Sequence, residues 1–238
     1  MKLLIFIITY KASFRINKIM NEMPYNFLKN HNFKILISDD HSDDDTQNFA
    51  IKIKKEYSNI LLNFNKKNLG YGGNIKKCLN FAYKNKFDKA VMIHGDNQYS
   101  SKYLKDIINL SNKNTCSAVT GSRMKKKKSA LKGGMPIYKF IGNVFLTKMF
   151  NLIYKTNFTD CHTGYWLYNL KKIKKNWIKN LSDNYLFDLD MRLKLINKKM
   201  IIKETAIKTR YGTERSLFHF NYAFIFMIKI FLNRIKIF

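Results

Sequence analysis

The chain has 238 residues, 46% of them hydrophobic, which suffices for one sizeable core and is ordinary for a single α/β domain. Its 44 Lys and Arg against 16 Asp and Glu give a formal charge of +28 and point to anionic partners. Three isolated cysteines without a Cys-x-x-Cys pair exclude a disulfide framework and a structural zinc site, and no uncharged apolar run approaches the ~20 residues of a bilayer-spanning helix.

The basic excess runs along the whole chain, and its densest run, Lys125 to Lys128, is short. Nucleic acid and anionic lipid headgroups both fit that charge. Each basic residue near such a lipid surface adds ~1 kcal/mol.

The opening Met1-Lys-Leu-Leu-Ile-Phe-Ile-Ile8 is too short for a signal peptide, no small-residue cleavage site follows, and it reads as a first buried strand. Residues 3–8, 33–38, 60–64 and 90–93 are continuous apolar runs separated by segments long enough for helices. Unbroken runs are what a sheet covered on both faces requires, so the first hundred residues predict strand-helix units around a mainly parallel sheet. Ligands of such sheets lie beyond the carboxyl ends of the strands. Thr9 and Tyr10 fall there, as do Asp39 and Asp40, residues 68–74 and residues 94–98.

Ser38-Asp-Asp-His-Ser-Asp-Asp-Asp-Thr46 carries five carboxylates. Asp43 to Asp45 suit a helix cap, while Asp40, next to the strand end, is placed to accept from a nucleobase or ribose. Asn68-Leu-Gly-Tyr-Gly-Gly-Asn74 is a glycine-rich turn into a helix over 74–83, and matches neither the phosphate loop nor the dinucleotide fingerprint. Its glycines either turn the chain or let backbone approach a ligand closely. In Val91-Met-Ile-His-Gly-Asp-Asn-Gln-Tyr99, His94, Asp96 and Gln98 share one side if the segment stays extended. A polar turn closing a strand would read the same way; a divalent cation beside phosphates needs only one or two carboxylates.

In this order the motifs resemble the family-2 glycosyltransferases of the GT-A type, particularly the dolichol- or polyprenyl-phosphate sugar synthases. Thr9-Tyr10 matches the end of that family's first strand, and Asp39, Asp40, Ser42, Asp44 and Thr46 match Asp-Asp-x-Ser-x-Asp-x-Thr. Asn68, Gly70 and Gly72 match Asn-x-Gly-x-Gly; Asp96 and Gln98 match the last two positions of Asp-x-Asp-x-Gln. Gly121-Ser-Arg123 and Thr159-Asp-Cys-His-Thr-Gly-Tyr165 match later segments. His94 replaces the first Asp of the metal motif, Ile8 stands where Pro is usual, and Trp166 stands where Arg is common.

The resemblance implies a GT-A nucleotide-sugar-binding fold, with a mainly parallel sheet, flanking helices and peripheral amphipathic helices. It implies Mg2+ or Mn2+ on Asp96 with Gln98 in support. It also implies a nucleotide diphosphate sugar against Thr9, Tyr10, Asp40, Gly70, Gly72, Gly73 and His94.

In the second half, residues 137–155 and 217–238 read as basic helices rich in Ile and Phe, suited to the plane of a membrane interface. A catalytic domain over 1–216 and a C-terminal helix over 217–238 follow. Asp188 and Asp190 open a further helix, where the helix dipole favours carboxylates and where either could face an acceptor. Residues 200–205 read as a strand, with Arg210 and Arg215 after it; guanidinium groups suit phosphate oxygens.

The expected activity is inverting transfer of a hexose to polyprenyl phosphate by an enzyme at the cytoplasmic membrane face. There Arg123, Arg210 and Arg215 would place an acceptor that needs no protein base. The alternative is a glycan hydroxyl, which makes Asp188 or Asp190 a required base. A basic nucleic-acid binder is a third possibility that leaves the acidic loops without a role.

Overall fold

The computed structural model describes residues 1–113, 115–211 and 220–235. The four apolar runs form β1 (Lys2–Thr9), β2 (Asn32–Asp39), β3 (Ile60–Phe64) and β4 (Lys89–His94). Between them lie α1 (Arg15–Asn21), α2 (Tyr25–Leu28), α3 (Thr46–Glu56) and α4 (Tyr71–Lys84). The second half contributes α5 (Leu104–Lys113), β5 (Ala118–Ser122), α6 (Lys127–Lys132), α7 (Ile137–Tyr154), β6 (Trp166–Asn169), α8 (Phe187–Asn197), β7 (Ile202–Ala206) and α9 (Phe220–Ile235).

Among the described residues, seven strands form one sheet in the order β3-β2-β1-β4-β6-β5-β7. β1 is apolar on both faces because both are covered. Leu3, Ile5 and Ile7 enter one core with residues of α1, α3 and α5, while Leu4, Phe6 and Ile8 enter the other with residues of α4 and α8. Each such side chain, fully buried, contributes roughly 1.5–3 kcal/mol, so the two cores fix the register of the central strands. That register sets Thr9 opposite Asp39 and Ile8 opposite His94, which brings the ends of three strands to one edge.

β6 runs antiparallel to both of its neighbours, β4 and β5. The reversal matters for the site. A strand that enters from the opposite direction begins at the edge where β4 ends, so the residues preceding Trp166 lie over His94 without a crossover.

α7 and α9 pack on each other and on α8 through Leu146, Phe150, Leu189, Leu193, Phe226 and Ile230. α9 therefore shares a core with α7 and α8. Ile137 and Leu152 on α7, and Phe224 and Ile235 on α9, nevertheless remain 68–76% exposed. No helix among the described residues is long and apolar enough to cross a membrane.

Candidate active site

A cavity of about 620 Å³ opens where β1, β2 and β4 end. Thr9, Tyr10, Asp40, Gly70, His94, Asp96, Gln98, Arg123 and Asp188 all line it. The two carboxylates at the end of β2 do different things. Asp39 accepts from Thr9 Oγ1, from the Ser42 amide and hydroxyl, and from Gln47 Nε2, at 2.5–3.1 Å, which organises the following loop. Asp40 reaches the cavity, its Oδ1 held by Asn65 Nδ2 and the Leu69 amide at 2.8 Å each. Asn65 also donates to Asn74, itself bonded to the Ser38 hydroxyl at 2.6 Å, so a buried polar network ties Asp40 to the glycine turn. In a low-dielectric interior a satisfied network of this kind is rigid.

Gly70 has φ +77°, a conformation that favours glycine, and lines the cavity. Gly72 and Gly73 are not among the lining residues. A Cβ at Gly72 would lie 2.2 Å from the Ser182 carbonyl oxygen, so this glycine lets α4 close against the segment before α8.

The expectation of three side chains alternating along an extended segment is corrected by the backbone. β4 ends at His94, residues 95–96 turn, and Asn97 has φ +57°. Asp96 Oδ1 accepts from the Gln98 amide at 2.8 Å, which fixes the carboxylate on the turn. His94 Nε2 lies 3.0 Å from the Gly164 carbonyl oxygen and 3.1 Å from the Tyr71 hydroxyl. A carbonyl only accepts, so Nε2 carries the proton and is not a metal ligand. Burial pushes the imidazole's pKa down, against the opposing charge of Asp96.

No cluster of three His, Cys, Asp or Glu side chains able to hold a metal occurs among the described residues. One carboxylate on the wall of this cavity is enough for a hard divalent ion, whose other positions go to water and phosphate oxygens. Asp96, the carboxylate expected to hold the ion, lines the cavity.

Two of the three arginines expected to hold an acceptor phosphate have carboxylate partners. Arg123 grips Asp160 through Nε and Nη2 at 2.7 and 2.9 Å. Burial opposes ionisation of Asp160, but the Arg123 guanidinium outweighs it and holds the carboxyl well below the usual range. Arg210 pairs with Glu22 at 2.6 and 3.1 Å and is not among the cavity residues. Arg215 lies outside the described residues.

The acidic pair of α8 divides sharply. Asp190 accepts from the Ser182 amide and hydroxyl at 2.9 and 2.6 Å and pairs with Lys229 of α9 at 2.5 Å, away from the cavity. Asp188 faces the cavity and accepts one hydrogen bond, from the Tyr71 hydroxyl at 2.7 Å. Its Oδ1 is buried with no hydrogen-bond partner among the described residues, and burial pushes the carboxyl up to about 7 despite Tyr71 and Arg192.

Several lining residues escaped the reading of the sequence. Tyr71 sits inside the glycine turn and Tyr185 stacks on it at 5.3 Å, while Tyr222 arrives from α9. A tyrosine within the turn was the available signal for the first; nothing local marks the other two.

The family model described as "Glycosyl transferase family 2" matches residues 5–177. The chain belongs to glycosyl transferase family 2. No curated protein matches it, whereas many solved structures do. This family-2 chain is similar to glucosyl-3-phosphoglycerate synthase from Mycobacterium tuberculosis in complex with Mn2+, uridine diphosphate and phosphoglyceric acid. The identity is 11% and the TM-score 0.68, covering 98% of this chain and 78% of that one. It is also similar to residues 1–349 of S. aureus TarS in complex with UDP-GlcNAc, at 16% identity and TM-score 0.59, covering 98% of this chain and 66% of that one. The fold of this glycosyltransferase is GT-A, a mostly parallel sheet flanked by helices.

Proposed function

We propose that this glycosyltransferase moves a sugar from a nucleotide diphosphate donor onto a glycan hydroxyl, with inversion, and that Asp188 is the base. The observation that carries this reading is the state of Asp188: buried, on the cavity wall, singly hydrogen-bonded and with a pKa of about 7. A general base works best with a pKa near the operating pH, and a structural carboxylate gains nothing from a lone unsatisfied oxygen.

The nucleoside lies against Thr9, Tyr10, Asp40 and Gly70, with Gly72 and Gly73 shaping the turn behind them. Uridine diphosphate in both similar structures supports a uridine donor. Asp96, assisted by Gln98, would hold Mg2+ or Mn2+, and Mn2+ in a similar structure supports this. The ion, when bound, offsets charge on the departing diphosphate. The acceptor oxygen attacks the anomeric carbon from the side opposite the diphosphate. A carbon–oxygen bond forms as the bond to the diphosphate breaks, and the hydroxyl proton passes to the Asp188 carboxylate.

Polyprenyl phosphate remains the second reading, favoured by the exposed apolar faces of α7 and α9. With Lys139 and Lys148 on α7, they suit an anionic membrane interface, and either acceptor would then be membrane-borne. The paired state of Arg123 and Arg210 weighs against a phosphate acceptor.

The test offers uridine diphosphate sugars with either polyprenyl phosphate or a polyprenyl-linked saccharide in anionic vesicles, to wild type and Asp188→Asn. Transfer to the saccharide, lost in the variant, is expected. Transfer to polyprenyl phosphate that survives Asp188→Asn overturns the assignment of the base and installs the second reading.

A further inference from the structure

The feature left unused by this mechanism is the hydrogen-bonded chain that runs from the end of β4 to the start of α8. The Gly164 carbonyl accepts from His94 Nε2–H at 3.0 Å, the same N–H lies 3.1 Å from the Tyr71 oxygen, and Tyr71 donates to Asp188 Oδ2 at 2.7 Å. The directions agree at every link, because a phenol that donates to a carboxylate keeps its lone pairs for the imidazole N–H. The packing around the chain is tight. A Cβ at Gly164 would sit 2.5 Å from both Cε1 and Nε2 of His94 and 2.9 Å from the Tyr71 hydroxyl. The rings of Tyr71 and His94 meet edge to face at 5.4 Å, and Tyr99 braces the far side of His94 at 5.2 Å.

We propose that Tyr71 and His94 are positioning residues for Asp188, and that the imidazole at the first place of the metal motif serves the base and not the donor. The proposal rests on the reading of Asp188 as the base. Its chemical sense lies in charge. Tyr71 donates more strongly to the Asp188 carboxylate when its own oxygen accepts from a donor. An N–H from His94 provides one. A carboxylate at position 94 would instead set a second negative charge against Tyr71 and the Gly164 carbonyl, and like charges disfavour ionisation of one another.

The groups that face Asp188 are few. Tyr71 comes from α4, Tyr168 from β6, Tyr222 from α9 and Arg192 from its own helix. Tyr71 and Arg192 both lower its pKa, against the burial that raises it. Removing the phenol hydroxyl therefore moves the pKa of the base upward, whereas a loss of mere packing would leave it in place.

The experiment measures kcat and KM against pH for wild type, Tyr71→Phe, His94→Asp, His94→Gln and Asp188→Asn, with a uridine diphosphate sugar, saturating Mn2+ and the acceptor that wild type uses. Tyr71→Phe is expected to lower kcat about tenfold and to move the acid limb up by roughly half a pH unit or more, with donor KM unchanged. His94→Asp should lose at least tenfold at pH 7 and recover part of it at higher pH. His94→Gln, which keeps an N–H donor, should stay close to the wild-type profile. A 13C titration of the Asp188 carboxyl in folded wild type and Tyr71→Phe reads the same shift without turnover.

His94→Asp that keeps its rate and changes only donor KM or metal demand would overturn the proposal and return His94 to the donor side. An unmoved acid limb in Tyr71→Phe would overturn it as well. Full activity in Asp188→Asn would sink the underlying assignment of the base, and that result is separable because it does not depend on position 71 or 94.

Discussion

Asp40, at the end of β2, and Asp188, at the start of α8, reach the same cavity from different walls, and their surroundings differ in kind. Asp40 belongs to a network of Asn65, Asn74, Ser38 and the Leu69 amide. Asp188 has one hydrogen bond, from Tyr71, and one oxygen without a hydrogen-bond partner among the described residues. A wall that recognises a donor gains from fixed, fully answered polar groups, since their geometry is set before the ligand arrives. A wall that must take up a proton needs a carboxylate left under-solvated, and that condition opposes stability.

The largest expected effect is at Asp96, the proposed metal position. Asp96→Ala should reduce transfer by roughly 10³-fold or more, since the charge on the departing diphosphate would go unanswered. Steady-state rates with Mn2+ and folding by circular dichroism check it. Residual activity within tenfold of wild type would remove Asp96 from the mechanism.

The two carboxylates of α8 come next. Asp188→Asn should lower kcat by about 10²–10⁴-fold, the range of a lost general base, while Asp190→Asn leaves kcat within about threefold. Stability should move the opposite way. Asp190→Asn weakens the Ser182 and Lys229 contacts and should cost about 1–3 kcal/mol, read as a lower Tm. The Asp188 pKa is raised on folding from the ordinary 3.8 to about 7, so the native state binds the extra proton. Its contribution to stability is full below the unfolded value and is lost as pH rises through about 7. Asp188→Asn should therefore raise Tm relative to wild type at pH 8 more than at pH 5. Equal losses of kcat in the two variants, with both folded, would dissolve the contrast.

Asp40→Asn should act more gently, raising donor KM about tenfold with kcat little changed, because it weakens uniform binding. Smallest is Gly164→Ala. The added methyl meets His94 and Tyr71, and the cost of such overpacking, about 1–3 kcal/mol, should appear as a Tm lower by ~2–4 °C per kcal/mol. An unchanged Tm would mean that His94 does not hold its place over Gly164.

The first four strands could be read from the chain because both faces of a parallel sheet are buried, which leaves unbroken apolar runs such as residues 3–8. β6 could not. Its four residues follow a polar turn, and no periodicity shows that they insert in reverse between β4 and β5. The cavity residues at the strand ends were equally legible, since Thr9, Asp40 and Asp96 sit beside those ends and adjacency in sequence is adjacency in space. The opposite wall was not, because Tyr71, Gly164 and Asp188 converge from three distant segments.

The sequence by itself determined the strand-helix order, the edge at which the site forms and the carboxylates nearest to it. These follow from local apolar runs and from where they stop. Only the tertiary structure decided which acid of α8 faces the cavity, what His94 touches and which arginines already hold a carboxylate. Those depend on burial and on partners distant in the chain, 37 residues apart for Arg123 and Asp160 and 117 for Tyr71 and Asp188, and the physics of a pKa lies in that surrounding rather than in the residue that titrates.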